Sequence, residues 1–175
     1  MTSTFQPDPE MLGAAMIGYY QAVQRFLRDT TRVTEHDDGF AALASATECL
    51  FWACSLEEQM RDNDPTYLSG ADDYGRRLVQ GARWARNQAT HQLAFVVAHS
   101  DSPQYPQADP ATQVEVVWRP AGEMPAPNRE SRNQREAYDQ YLAGHPVRIT
   151  FERIKGFFAS EQNRPGSLLN RTTQV

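Results

Sequence analysis

A chain of 175 residues with a net charge of −5 and 40% hydrophobic residues can bury one substantial core and is too short for two large domains. No apolar run reaches the ~20 residues that span a bilayer, and Met1 to Glu10 has neither the basic nor the apolar part of a secretory signal, so a cytoplasmic protein away from membranes is expected. The acidic balance excludes an extended nucleic-acid cradle, whose footprint is basic.

The first helix is predicted from about residue 9 to 30. Met11, Leu12, Ala15, Met16, Tyr19, Tyr20, Val23, Phe26 and Leu27 recur every three to four positions as a core stripe, and Asp8 before Pro9 supplies an N-cap followed by a preorganised first position. Residues 31 to 38 are a polar connector in which Asp37 or Asp38 can cap the next helix and His36 reads as a solvated loop residue. The second helix, about 38 to 62, carries Phe40, Leu43, Ala44, Leu50, Phe51 and Cys54, extended by Trp52 and Leu56. Cys49 and Cys54 are five apart on it and cannot reach each other, so reduced core thiols are expected, with neither a disulfide nor a bound metal.

Glu48 stands in the most apolar half of the second helix. A carboxylate buried there needs a partner, and Arg86 or Arg83 on the following helix is the expected one. Two roles are open to it: orienting Arg86 and sharing proton transfer, or a purely structural salt bridge.

After a turn-rich break at 62–70, a third helix is predicted from Ala71 or Asp72 to Ala98, with Leu78, Ala82, Ala85, Ala89, Leu93, Val96 and Val97 as its buried stripe. Its remaining positions hold Arg83, Arg86, Asn87 and His91, with no acidic residue between Asp73 and Gln92 to neutralise them. Arg76, Arg77, Arg83 and Arg86 read as a focused positive stripe on an acidic body. Asn87 and His91 are four apart and share a face, so the amide can orient the imidazole. Arg86 and His91 are five apart, about 140° around an ideal helix. Either the long guanidinium wraps back, or a second copy of the helix brings one subunit's Arg beside the other's His. Tyr67 and Tyr74 precede the motif as packing residues or base-stacking platforms, and Trp84 reads as a partly exposed dimer anchor.

Residues 100–111 are Pro-rich and irregular. Gln113 to Trp118 alternate in β fashion but find no partner strand in the chain, which suggests an extended segment over the bundle or a strand added across a dimer. A charged helix over about 129–143 and a last one from Pro146 to about Ser160, with Val147, Phe151, Ile154, Phe157 and Phe158 buried, complete the fold, and a mobile tail is expected from 161 to 175. The fold class is therefore all-α, a bundle of about four to five helices with one short extended segment. It makes a single domain over 1–160, with a motif-bearing core at 9–98 and a C-terminal extension at 129–160.

The run Arg86-Asn87-x-x-x-His91 in mid-helix of an all-helical chain resembles the signature of the HEPN superfamily. Many of its members are metal-independent ribonucleases of toxin–antitoxin and phage-defence systems, in which an Arg is followed by a polar residue and, four to six positions on, a His. The resemblance covers six residues and the helical context from Pro9 to Ala98. It implies a homodimeric helical bundle that uses no cofactor and takes RNA as its partner, with an antitoxin or other regulatory protein as a second one. It implies Arg86, Asn87 and His91 as catalytic residues with Glu48 as their acidic neighbour; the positive stripe and the helix entrance add Arg83, Arg76, Arg77 and Tyr74 as expected RNA contacts. Gln92 stands where the antitoxin-paired branch often has a modified Tyr, so control by that modification is not expected here.

Three classes of function follow: an endoribonuclease that drives 2′-hydroxyl attack on the adjacent phosphate, a non-catalytic module of the same fold that binds RNA, nucleotide or protein, and a plain helical dimerisation protein. Exposure of Arg86 and His91 to solvent separates the first from the last.

Overall fold

The computed structural model describes residues 7–31, 40–100, 115–127 and 129–173. The described residues form a helical bundle carrying one two-stranded ribbon. The expected Asp37 or Asp38 cap, His36 and most of the Pro-rich segment lie outside the described residues.

Helix α1, Pro9–Thr30, begins as its sequence dictates, with the Asp8 carboxylate accepting the Glu10 N–H at 2.9 Å. Leu12, Met16, Tyr19, Ala22, Val23 and Phe26 are buried, whereas Met11 stands in solvent. Helix α2, Phe40–Asn63, runs antiparallel to it, Arg25 pairing with Glu48 and Gly18 lying against the Trp52 ring. α2 packs between α1 and the motif helix, and its buried residues are spread around it rather than along one stripe. Phe40 and Phe51, expected in the core, are exposed.

A one-turn helix α3, Tyr67–Gly70, leads to α4, Asp73–His91, whose Asp72 cap accepts the Gly75 N–H at 2.7 Å. α4 packs against three helices, and two glycines allow the close approaches. A Cβ on Gly75 would lie 2.1 Å from the Phe157 ring, and one on Gly81 would lie 2.7 Å from Leu142.

The expected continuation of α4 to Ala98 does not occur. Leu93 takes φ 51°, and the Gln88 carbonyl accepts the N–H groups of both Gln92 and Ala94, closing the helix. The β-branched pair Val96 and Val97 is then free to enter an extended ribbon. Strand β1, Val97–Ser100, pairs antiparallel with β2, Glu115–Trp118, in the register Val97 to Trp118 and Ser100 to Glu115. The extended segment thus has its partner within the chain, in residues that helical periodicity had claimed.

Helix α5, Arg132–Tyr141, crosses α4, and α6, Val147–Asn163, returns beneath the ribbon. Trp118 is fully buried between them, its indole N–H donating to Thr150 at 2.9 Å and its ring edge-on to Phe151. Tyr19 and Tyr138 bury their rings and satisfy their hydroxyls on the carbonyls of Phe151 and Arg119.

The segment expected to leave the fold at Glu161 is packed instead. α6 continues to Asn163, Gly166 turns the chain at φ 82°, and a 3-10 turn, Leu169–Thr173, buries Leu168 and Leu169. The Asp64 carboxylate, 0% exposed, clamps the junction: it accepts the Arg164 guanidinium at 2.7 Å and the Leu168 N–H at 3.2 Å. Burial pushes Asp64 up, but hydrogen bonds from Thr66, Arg164 and Leu168 outweigh it and hold the group below the ordinary carboxylate value. Among the described residues no helix is long and apolar enough to cross a membrane.

Candidate functional site

The motif residues occupy the last two turns of α4. Arg83, whose side chain is only 11% exposed, lies between two carboxylates of α2, one guanidinium nitrogen on Glu57 and another on Glu58 at 2.6 Å. Burial works against its charge, yet Glu57 and Glu58 more than reverse that and raise its affinity for the proton. Arg86, a turn further, donates to the same Glu58 oxygen at 3.2 Å and to the Asn87 side-chain oxygen at 3.3 Å. The local sequence of α4 offers no acid to these arginines, but tertiary packing supplies two.

Glu48 is not the acid beside the motif. It faces α1 and forms a two-pronged pair with Arg25, both side chains partly open to solvent. Glu57 and Glu58 take the place expected of it, nine and ten residues later. The sequence did hold a signal for them: the buried row Leu50 and Cys54 on α2 continues at three- and four-residue steps onto Glu57 and Glu58. Cys54 lies against this cluster, and burial pushes its thiol up to about 12, so it is a packing group and not a nucleophile.

His91 is the last residue of α4 and is exposed. No described residue makes a hydrogen bond or ion pair with it. The expected clamp from Asn87 is absent, and the amide oxygen accepts from Arg86. Within one chain the structure therefore joins Arg83, Arg86, Asn87, Glu57 and Glu58 into one polar cluster and leaves His91 standing apart on the same helix.

The other expected RNA contacts are committed elsewhere. Arg76 and Arg77 share the Asp73 carboxylate at 2.9 and 3.2 Å. Tyr74 packs edge-on to Tyr141 and accepts a hydrogen bond from Arg153 at 2.9 Å. Tyr67 is buried, which leaves it no face for a base. Trp84 is buried too, 4.4 Å from the Tyr138 ring, with its N–H on Glu130 at 2.9 Å and Arg135 over its face. It anchors α5 to α4 inside the chain, where an exposed dimer contact was expected.

Around the end of α4 the surface is apolar. Leu93 is 83% exposed, and Phe95 meets Phe40 with ring centroids 6.4 Å apart. Phe40, Phe51 and Glu58 fall within about 20° of one another around α2 at 100° per residue, so an exposed row leads from the Arg86 carboxylate partner to the ring beside Phe95. Among the described residues no group of three or more His, Cys, Asp or Glu is arranged to hold a metal ion.

Comparison with models of known protein families, with curated proteins and with solved structures finds no match to this chain.

Proposed function

We propose that this chain is a HEPN-type endoribonuclease that works as a homodimer, with Arg86 of one protomer and His91 of the other meeting in one cleft. The observation that carries the reading is the exposure of His91 at the end of a helix whose preceding turn holds Arg86 and Asn87. An imidazole placed as a core or pairing group would be buried or bonded. This one is open to a ligand.

The reaction balances without a metal. His91 in its base form takes the 2′-hydroxyl proton as that oxygen attacks phosphorus, and the 5′-oxygen leaves with a proton from water. Arg86 donates to the phosphoryl oxygens as charge develops there. The products are a 2′,3′-cyclic phosphate and a 5′-hydroxyl end, and DNA is inert because it lacks the nucleophile. Glu58 competes with the phosphate for Arg86, so the resting site is partly neutralised until RNA arrives.

Dimerisation rests on the apolar row of Phe40, Phe51, Leu93 and Phe95 beside the site. Exposed aromatic residues grouped next to a polar cleft suit a self-complementary interface. A cytoplasmic enzyme of a toxin–antitoxin or phage-defence system, restrained by an antitoxin or other regulatory protein, is the corresponding biological setting.

A second reading is favoured by one observation. Arg86 already has a carboxylate and an amide, as in a helical binding or dimerisation protein where it serves packing alone. RNA cleavage by the wild type and by His91→Ala, with EDTA present and product ends mapped, decides between them. EDTA-insensitive cutting that leaves cyclic phosphate and vanishes in the variant supports the nuclease. Equal inactivity of two folded proteins over a range of RNAs rejects it.

A further inference from the structure

A second polar site lies at the opposite end of α4. Its first two turns and α5 enclose a cleft of about 320 Å³, lined by Asp73, Arg76, Arg77 and Gln80 on α4 and by Asn133 and Glu136 on α5. The volume falls at the lower end of the range for small-molecule pockets.

The cleft holds more arginine than it has carboxylate free to pair with. Two guanidinium groups, Arg76 and Arg77, share the single carboxylate of Asp73. Glu136 does not balance the second, because Arg132 already holds it at 2.7 Å. Counting these pairs, the cleft keeps a surplus of about one positive charge, while the positive end of the α4 dipole is already met by the Asp72 cap. Its donors are also unspent. Neither Gln80 nor Asn133 makes a hydrogen bond with a described residue.

We infer that this α4–α5 cleft binds the phosphate group of a small phosphate monoester, independently of the Arg86–His91 site. A dianion matches a pair of guanidiniums that have only one carboxylate between them, and Arg77 can present two parallel donors to it. Gln80 and Asn133 contribute further N–H donors, while the second carboxylate oxygen of Glu136 accepts from hydroxyl groups on the remainder of the ligand.

An RNA strand running along α4 is disfavoured as the occupant. Arg77 and His91 are fourteen residues apart, about 21 Å along the axis, and Trp84 lies on the line between them. Trp84 is covered by Tyr138, Glu130 and Arg135, so α5 closes the direct path.

The test uses the full chain carrying His91→Ala, so that no RNA is cut, and isothermal titration calorimetry with inorganic phosphate, with ribose 5-phosphate, and with an RNA oligonucleotide that has hydroxyl ends and only diester phosphates. Saturable binding of phosphate and tighter binding of ribose 5-phosphate are expected. Arg77→Gln, at a side chain half open to solvent, should weaken both by about tenfold or more, with an unchanged melting temperature showing that it folds. Asp73→Asn, which removes the competing carboxylate, should tighten both several-fold, the reverse of what loss of a merely structural ion pair produces. The proposal is overturned by absence of saturable binding, by equal binding in Arg77→Gln, or by the diester-only RNA displacing the monoester from the cleft. None of these outcomes bears on RNA cleavage at His91.

Discussion

Glu57 should matter more to stability than Glu58, although both meet the same arginine. The Glu57 side chain is 8% exposed and also lies 3.5 Å from Arg61, whereas Glu58 is 34% exposed and is shared between Arg83 and Arg86. Breaking a fully buried ion pair from one side costs about 3–5 kcal/mol, because a charge is left without a partner. Arg83 keeps Glu58 when Glu57 is neutralised, so Glu57→Gln should cost about 1.5–3 kcal/mol, the range for a hydrogen bond to a charged group. Glu58→Gln removes a pair that water already screens and should cost about 0.2–1 kcal/mol. For a chain of this size the first loss lowers Tm by roughly 3–12 °C, at about 2–4 °C per kcal/mol. Urea denaturation of the two variants, read by circular dichroism at constant protein concentration, gives the comparison. Glu58→Gln proving as damaging as Glu57→Gln would refute the claim that burial of the Arg83–Glu57 pair governs this cluster.

Asp64 makes stability acid-sensitive in a defined direction. Its folded value lies below the unfolded one of about 3.9, so its contribution is complete above about pH 4 and is lost as pH falls through the folded value. Asp64→Asn should therefore be less stable at neutral pH, with the gap to wild type narrowing toward pH 2 in urea midpoints. Leu93 adopts a left-handed conformation that costs a non-glycine residue about 1–2 kcal/mol, and its side chain is mostly in solvent. Leu93→Gly should stabilise the protomer by about 0.5–1 kcal/mol after glycine's own entropy cost, measured by thermal melting at dilution; destabilisation would mean that the leucine makes packing contacts. Gly75→Ala places a methyl inside the van der Waals radius of Phe157 and should cost about 1–3 kcal/mol as α4 is pushed from α6, whereas Gly122→Ala, with nothing within 4 Å, should be neutral.

The helices were legible where one face is buried and the ends carry chemical punctuation. Asp8-Pro9 fixed the start of α1, and the Val147, Phe151, Ile154 and Phe158 row located α6. The end of α4 was not legible, because a leucine rather than a glycine takes the left-handed turn, and Leu93, Val96 and Val97 sit at spacings that a helix would also use. A strand's partner depends on pairing across sequence, so Glu115–Trp118 could not show that Val97–Ser100 would meet it. The C-terminal segment misled through its average polarity: Leu168 and Leu169 are two apolar residues among many polar ones, and it is Asp64, about a hundred positions earlier, that fixes them.

At the site, sequence placed Arg86, Asn87 and His91 on one helix and could go no further. Which carboxylate reaches an arginine depends on the rotation of the neighbouring helix. Glu48 and Glu58 differ by ten residues, about 80° around α2 modulo full turns, enough to turn one to α1 and the other to α4. Trp84 between two arginines invited an exposed reading, yet α5 lies over it.

The most direct test of the composite site is cleavage of RNA by an equal mixture of Arg86→Ala and His91→Ala proteins, unfolded together and refolded, beside each variant alone and the wild type. If each cleft takes Arg86 from one protomer and His91 from the other, a mixed dimer has one intact cleft and one doubly impaired. Random pairing then restores about a quarter of wild-type activity, while each variant alone is inactive. An active wild type with no recovery in the mixture would contradict a shared cleft and place both residues within one chain; an inactive wild type would contradict the nuclease itself.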